Sequence, residues 1–368
     1  MSGKLQKRVL LVNFGTFGDF CQGQELMNSL LALGVQVDHM GPDNFRFNES
    51  KEHSFTPLLP AQAIEDALKY AFTFSTVSER TGHFIRNISN NLMDVPSKIS
   101  NVLQTTHYDL VLIHYFYLYC LQDLQKKIES KTKLGIFHLT PAPLDDINTN
   151  CGRIPNLVSL PIDRIFDCST VTLPKHWHLS HSWLPEKQVP FSSVSTFDEV
   201  NLRPGGLIVV SLGSFASFVD RDYLQVILNV LSELDQQVII DGNWGMKAPS
   251  PNITFVSGVP HSELFNHCSL LVTHCSAGVV MKALKLGLKM VCLPQFADQE
   301  MLAQACWVRG NAVGVIKPQF FSQQRFSDLI QRSLETIDDI DPLDLSDYPT
   351  VADAAKVVFA FIDQSLEA

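Results

Sequence analysis

The sequence predicts an α/β fold made of two doubly wound halves, and three observations carry that reading. Short apolar runs alternate with helix-length amphipathic segments, the pattern of successive βα units on a parallel sheet. The chain has 368 residues, which favours two domains, and its apolar fraction of 45% suffices for two cores. A Pro/Gly-rich stretch at Asn201–Gly206 separates two such series. The expected division is residues 1–203, residues 204–345, and a final helical segment at 346–368.

The first half opens with a βαβ unit. Arg8–Phe14 is a buried-strand run, and Gly15-Thr16-Phe17-Gly18-Asp19 is the loop after it. Glu25–Leu33 is an amphipathic helix closed by Gly34, and Val35–Met40 is the second strand. The glycines fall at 15, 18 and 23, so the dinucleotide fingerprint G-x-G-x-x-G is absent. Residues 41–105 are poorly periodic, with helical stretches at Ala61–Phe74 and Phe84–Leu103. Phe45, Phe47, Phe55, Phe72, Phe74 and Phe84 crowd this region, either as ordinary packing or as the wall of an apolar pocket. Tyr108–His114 and Leu134–His138 are strands separated by a helix, and their closing histidines are pocket candidates. Leu139–Pro161 is loop-rich. His176, His178 and His181 have metal-like spacing, but no Cys or carboxylate ligand accompanies them, so no metal is expected.

The second half starts with the strand Leu207–Ser211 and the small-residue loop Leu212–Ala216. Arg221–Leu234 is a helix, and Gln237–Asp241 and Ile253–Val256 are strands. Leu270–Thr273 is a buried strand, followed by the turn His274-Cys275-Ser276-Ala277-Gly278 and a helix over Val279–Leu286 that Gly287 stops. Met290–Leu293 is a further strand ended by Pro294, and Asp298 is the expected N-cap of the next helix. Asn311–Val315, Ser322–Leu334 and Val351–Phe361 read as strand, helix and final amphipathic helix. The turn after Thr273 presents backbone N–H groups at a helix N-terminus, suited to a phosphate or diphosphate.

Composition removes several function classes. A net charge of −10 argues against a nucleic-acid surface and gives no attraction to anionic lipid. No apolar run reaches the ~18 residues of a membrane span, and the N-terminus lacks a signal-peptide pattern. The eight cysteines are scattered without a C-x-x-C pair, which reads as reduced thiols in a cytoplasmic protein. Asn48, Asn87 and Asn252 fit the N-x-[ST] pattern, which has no meaning without secretion. No Walker loop, H-E-x-x-H or G-x-S-x-G motif occurs.

His274 through Gln299 resembles the donor-binding box of the UDP-glycosyltransferases, a family of GT-B fold. The match covers 26 residues without a gap and keeps His274, Cys275, Gly287, Pro294, Asp298 and Gln299. Ala277 and Gly278 match the bacterial form of the box. Two positions depart from it: Val279 stands where a Ser/Thr bonds the donor phosphate, and Lys282 where a Glu holds the ribose hydroxyls. Gly15–Asp19 resembles the G-T-x-G-D loop of bacterial and sterol glycosyltransferases. Gly213 and Ser214 lie in a loop similar to the family's diphosphate-touching turn, and Val259-Pro260-His261 resembles its base-covering step.

The resemblance implies two Rossmann-like domains of GT-B type, acceptor-binding over residues 1–203 and donor-binding over 204–345, with the helix of 346–368 packing back on the N-terminal domain. It implies transfer of a hexose from a UDP- or dTDP-sugar to a hydroxyl of a small lipophilic acceptor, with inversion and without metal or further cofactor. Asp19 would be the general base; on local sequence alone it reads first as a helix cap, and the downstream box reverses that order. Gly15, Gly18, Gly213, Ser214, Val259, His261, His274, Ser276, Ala277, Gly278, Lys282, Asp298 and Gln299 would hold the donor. His274 and the Ser276–Gly278 amides would stabilise the departing diphosphate, and Asp298 and Gln299 the sugar hydroxyls. Phe17, Phe72, His114 and His138 would line the acceptor pocket. The expected partners are thus the nucleotide-sugar and a small-molecule acceptor, with no nucleic acid. Val279 and Lys282 keep two alternatives open: a glycosyltransferase-like auxiliary protein without activity, or another GT-B activity such as a nucleotide-sugar epimerase or a lipid-linked sugar transferase.

Overall fold

The structure is a computed structural model. It describes residues 6–15, 17–44, 54–120, 124, 126, 132–139, 156–158, 165, 177–180, 183, 206–336 and 340–363. Phe45, Phe47, the loop-rich 141–155, His176, His181 and residues 201–205 of the expected linker lie outside them. The chain forms two compact units. One gathers described residues of Met1–Ala67, Ile85–Pro185 and Asp347–Ala368; the other gathers those of Leu68–Phe84 and Glu186–Ser346.

In the first unit the strands are β1 (Arg8–Val12), β2 (Gln36–Pro42), β3 (Phe55–Leu59), β4 (Leu110–His114), β5 (Lys133–His138), β6 (Asn156–Val158) and β7 (Trp177–Leu179). They pair in parallel in the order β3-β2-β1-β4-β5-β6-β7. β1 and β4 are buried on both faces, which their unbroken apolar runs require. Helix α1 (Phe17–Ala32) begins eight residues before the expected Glu25. Phe17, Gly18 and Asp19 are therefore its first turn, not loop. The expected helix over Phe84–Leu103 is two, α3 (Val77–Leu92) and α4 (Val95–Thr105), with Pro96 in the first turn of the latter, where its missing N–H costs nothing. Between β3 and α3 runs α2 (Ala61–Ala71).

The second unit holds β8 (Leu207–Ser211), α5 (Arg221–Ser232), β9 (Gln237–Asp241), β10 (Ile253–Val256), α6 (His261–Asn266), β11 (Cys268–Thr273), α7 (Ala277–Lys285), β12 (Met290–Cys292), α8 (Ala297–Val308), β13 (Ala312–Val315) and α9 (Gln323–Glu335). Its parallel sheet runs β10-β9-β8-β11-β12-β13. Strand order reverses beside β8, which puts β8 and β11 at a topological switch point. The final helix α10 (Val351–Asp363) belongs to the first unit, where Ala354, Ala355, Val358 and Ile362 share a core with Val9, Leu11, Leu26 and Leu30. Among the described residues no helix is long and apolar enough to cross a membrane.

Candidate functional site

The carboxyl ends of β8, β9 and β11 are level: Ser211 is in register with Asp241 on one side and Thr273 on the other. After Ser211 the chain turns through Gly213, whose φ of +60° suits glycine. A Cβ there would lie 2.8 Å from Cε1 of His274, so this glycine lets the backbone rest on the imidazole. His274 is buried, and its Nδ1 lies 3.3 Å from the Ser211 carbonyl, which it meets as donor. Burial pushes its pKa down to about 4, so the ring is neutral near pH 7. The expected charge-stabilising His274 is thus a neutral support under the Gly213 turn. Ser214 is exposed on that turn.

Cys275 follows with a φ of +67°, uncommon for any residue but glycine. Its N–H donates to Thr273 Oγ1 at 3.1 Å. This kink reverses the chain into α7, whose N-cap Ser276 makes no side-chain cap bond. The first intrahelical bond runs from Val280 N–H to the Ser276 carbonyl at 2.9 Å. The amides of Ala277, Gly278 and Val279 are therefore the open donors of the helix start. Val279 is buried, and Lys282 is half-buried one turn on.

Beside this turn stands a cluster that sequence reading assembles only in part. Asp241 Oδ2 accepts from Ser211 Oγ at 2.8 Å and from His261 Nε2 at 2.8 Å. The His261 ring stacks on Phe265 with centroids 4.8 Å apart, and Pro260 caps α6 ahead of it. Burial works to raise the Asp241 pKa, but the His261 and Ser211 hydrogen bonds outweigh it and hold the carboxyl below its ordinary range. Of this group only His261 was expected at the site. The available signal for Ser211 and Asp241 was that both end strands at the ligand-binding edge. Val259 is buried beside them.

On the other flank, Phe296 is the N-cap of α8, displacing Asp298 from that expected role. Gln299 Oε1 accepts the Gln295 and Phe296 amides at 2.9 and 3.3 Å, so its acceptor atom is occupied by the helix start and its amide N–H groups are what remain for a ligand. Burial raises the Asp298 pKa to about 6, against hydrogen bonds from its own and the Gln299 amide. Arg80, unmarked by the sequence, donates to Gln295 Oε1 and to the Phe74 carbonyl and lies 4.9 Å from the Phe72 ring centroid. Phe72 packs against Phe215 and Phe296 in the second unit; the structure places this expected pocket residue in an aromatic core cluster.

In the first unit, Gly15 has a φ of +118°, and a Cβ on it would fall 2.0 Å from Asp19 Oδ2. The Asp19 carboxylate is thus folded back over the β1–α1 turn. Asn13 fixes that turn, accepting the Phe14 amide at 2.9 Å and donating to the Asp19 carbonyl at 3.3 Å. A Cβ on Gly18 would meet nothing within 4 Å, so space does not require glycine there. Phe17 opens α1; its side chain is outside the described set. His114 and His138 end β4 and β5 and are both buried. His114 Nδ1 accepts the Phe116 amide at 3.3 Å, and burial pushes its pKa down to about 3, while His138 stacks between Tyr115 and Trp177. His178 lies within β7, and no metal-binding group of three ligands occurs among the described residues.

Residues 196–333 match the family described as UDP-glucoronosyl and UDP-glucosyl transferase. The sterol 3-beta-glucosyltransferase UGT80B1 of Arabidopsis thaliana is 27% identical over 237 residues, 60% of this chain and 37% of that protein. Human UDP-glucuronosyltransferase 2B7 is 28% identical over 141 residues, 36% of this chain and 25% of that one. The chain thus spans well under half the length of these relatives. Among solved structures, the glycotransferase of kitacinnamycin superposes with a TM-score of 0.72 at 13% identity, covering 98% of this chain and 100% of that one. Arabidopsis thaliana UGT89C1 complexed with UDP-L-rhamnose gives 0.71 at 13% identity, covering 98% and 100%. The resemblance in the donor box, the family match over residues 196–333 and the fold agree: the second unit is similar to the UDP-glycosyltransferases, and the chain has the two-domain GT-B fold of the solved glycosyltransferases.

Proposed function

We propose that the chain is an inverting glycosyltransferase that moves a hexose from a UDP- or dTDP-sugar to a hydroxyl of a small lipophilic acceptor. The observation that carries this reading is the β11–α7 turn. Its left-handed Cys275 aims the open amides of Ala277, Gly278 and Val279 together, on a helix start whose dipole favours an anion. A diphosphate fits that chemistry, and the amides oppose the charge that grows on the leaving oxygen. Asp19 takes the acceptor hydroxyl proton as the oxygen attacks the anomeric carbon, and the nucleoside diphosphate departs from the opposite face. The Asp298 carboxylate and the Gln299 amide N–H groups meet sugar hydroxyls. The activity for which one relative is named, sterol glucosyl transfer, supports a lipophilic acceptor. The reaction as proposed is cytoplasmic and needs neither metal nor further cofactor.

The test is thermal stabilisation by UDP, dTDP and GDP near millimolar concentration, followed by turnover with the matching sugar. A nucleotide at 100 times its Kd adds about 2.7 kcal/mol, a shift of several degrees. One nucleotide should give that shift. Asp19→Asn should keep it and abolish transfer; unchanged transfer removes Asp19 as the base. No shift with any nucleotide favours the second reading, a non-catalytic glycosyltransferase-like partner, which Val279 and Lys282 motivate.

A further inference from the structure

We propose that Asp241, held by Ser211 and His261, is the carboxylate that receives the ribose hydroxyls of the bound nucleoside diphosphate. The proposal rests on the donor reading above. Three features of the second unit lead to it. One oxygen of Asp241 is saturated, accepting both Ser211 Oγ and His261 Nε2 at 2.8 Å. The other oxygen, Oδ1, has no hydrogen-bond partner among the described residues, although the side chain is only 15% exposed. That oxygen is not sealed in, so it is the acceptor that a ligand hydroxyl can reach in place of water.

Position then selects the ligand group. Asp241 is level with Ser211 at the carboxyl edge, on the strand beyond β8 from β11 and α7. Two strand spacings, about 10 Å, therefore separate it from the amides assigned to the diphosphate. An ionised carboxylate repels phosphate and accepts only from donors. The ribose supplies a vicinal pair of hydroxyl donors at that remove from the phosphates. Helix α7 offers no carboxylate of its own, since its polar side chains are Lys282 and Lys285. His261 and Ser211 fix the Asp241 carboxyl plane, and the His261 ring is itself fixed by its stack on Phe265. The hydrogen bonds that keep Asp241 ionised also keep it an acceptor.

The experiment is calorimetric titration of the full chain with UDP and with 2′,3′-dideoxy-UDP, for the wild type, Asp241→Asn and Ser211→Ala. The wild type should prefer UDP by about tenfold or more, the value of one charge-assisted hydrogen bond. Asp241→Asn should erase most of that preference while leaving the dideoxy affinity unchanged, which separates lost ribose contact from general damage. Ser211→Ala, which frees the carboxylate to swing, should reduce the preference several-fold. A folded Asp241→Asn protein that keeps the full preference overturns the proposal. If that variant does not fold, an unchanged preference in Ser211→Ala overturns it. A wild type that binds neither nucleotide overturns the donor reading itself, a distinct outcome seen before any variant is made.

Discussion

Asp298 is a carboxylate whose two protonation states serve opposite ends. Burial lifts its pKa to about 6, whereas in the unfolded chain it titrates near its ordinary value of about 3.9. Between those values the folded chain holds the proton and the unfolded chain does not. The stabilisation is therefore full at low pH and is lost as pH rises through 6. The span corresponds to roughly 2 kcal/mol after allowing for partial exposure. The role proposed for it, accepting sugar hydroxyls, needs the ionised form, so on that proposal donor affinity should rise over the same interval. Asp298→Asn should remove both trends: its melting temperature gains on the wild type at pH 7.5 relative to pH 4.5, and its UDP-sugar affinity becomes flat across pH 6. Parallel pH profiles in variant and wild type would refute this. The sequence marked Asp298 as present at the site but assigned it the wrong local role. A run of capping letters does not reveal that Phe296 precedes the helix or that Gln299 bends back to the amides of Gln295 and Phe296. Likewise Ser211 and Asp241 were legible as strand ends, but their hydrogen bond arises from the register of two strands some thirty residues apart.

Among elements, β8, β9, β10 and α7 were legible because apolar runs between clear turn residues leave few alternatives. β3 was not. It carries Pro57 and lies at the sheet edge, where a missing N–H is tolerated, so the residue that argues against a strand is the one an edge permits. β6 and β7 are three residues each, too short to show a period. The start of α1 was hidden by Gly15 and Gly18, which read together as loop; only Gly15 has the backbone conformation that demands glycine. The end of α7 shows the same logic with a sharper consequence. Gly287 has a φ of +63°, and a Cβ on it would lie 2.3 Å from the Ile340 carbonyl oxygen. That crossing segment is tied to the helix, since Leu343 N–H donates to the Leu284 carbonyl at 2.8 Å. Gly287→Ala should therefore add left-handed strain to a backbone clash and lower stability by roughly 2–3 kcal/mol. Denaturant melts measure it, and a loss below about 0.5 kcal/mol, the scale of a neutral surface change, would refute it.

At the scale of the molecule, sequence order and core membership part company. The final helix α10 supplies Val358 and Ile362 to the core built on β1, β4 and α1, while β8–β13 enclose a core of their own. Lys133 Nζ, at the start of β5, donates to the carbonyls of Phe361 and Ile362 near the end of that helix. Periodicity predicted the helix, but an amphipathic stripe does not name the surface it covers; the expectation that it returns to the first domain came from the family resemblance alone. The two cores share no residue, which makes their stabilities separable. Val358→Ala with Ile362→Ala removes buried side-chain volume from the first core alone. At about 1–3 kcal/mol for each truncation, the pair should cost roughly 2–6 kcal/mol there, a large part of the 5–15 kcal/mol a typical protein has. Native-state hydrogen exchange reads the two cores separately. Amides of β1 and β4 should lose protection by that amount, while those of β8 and β11 keep theirs, and nucleotide affinity should hold because every donor contact proposed at β8–α8 lies in the second unit. Equal loss of protection in β8 and β11 would mean that the two cores unfold as one cooperative body. The C-terminal helix would then stabilise the donor site as well as the sheet it covers.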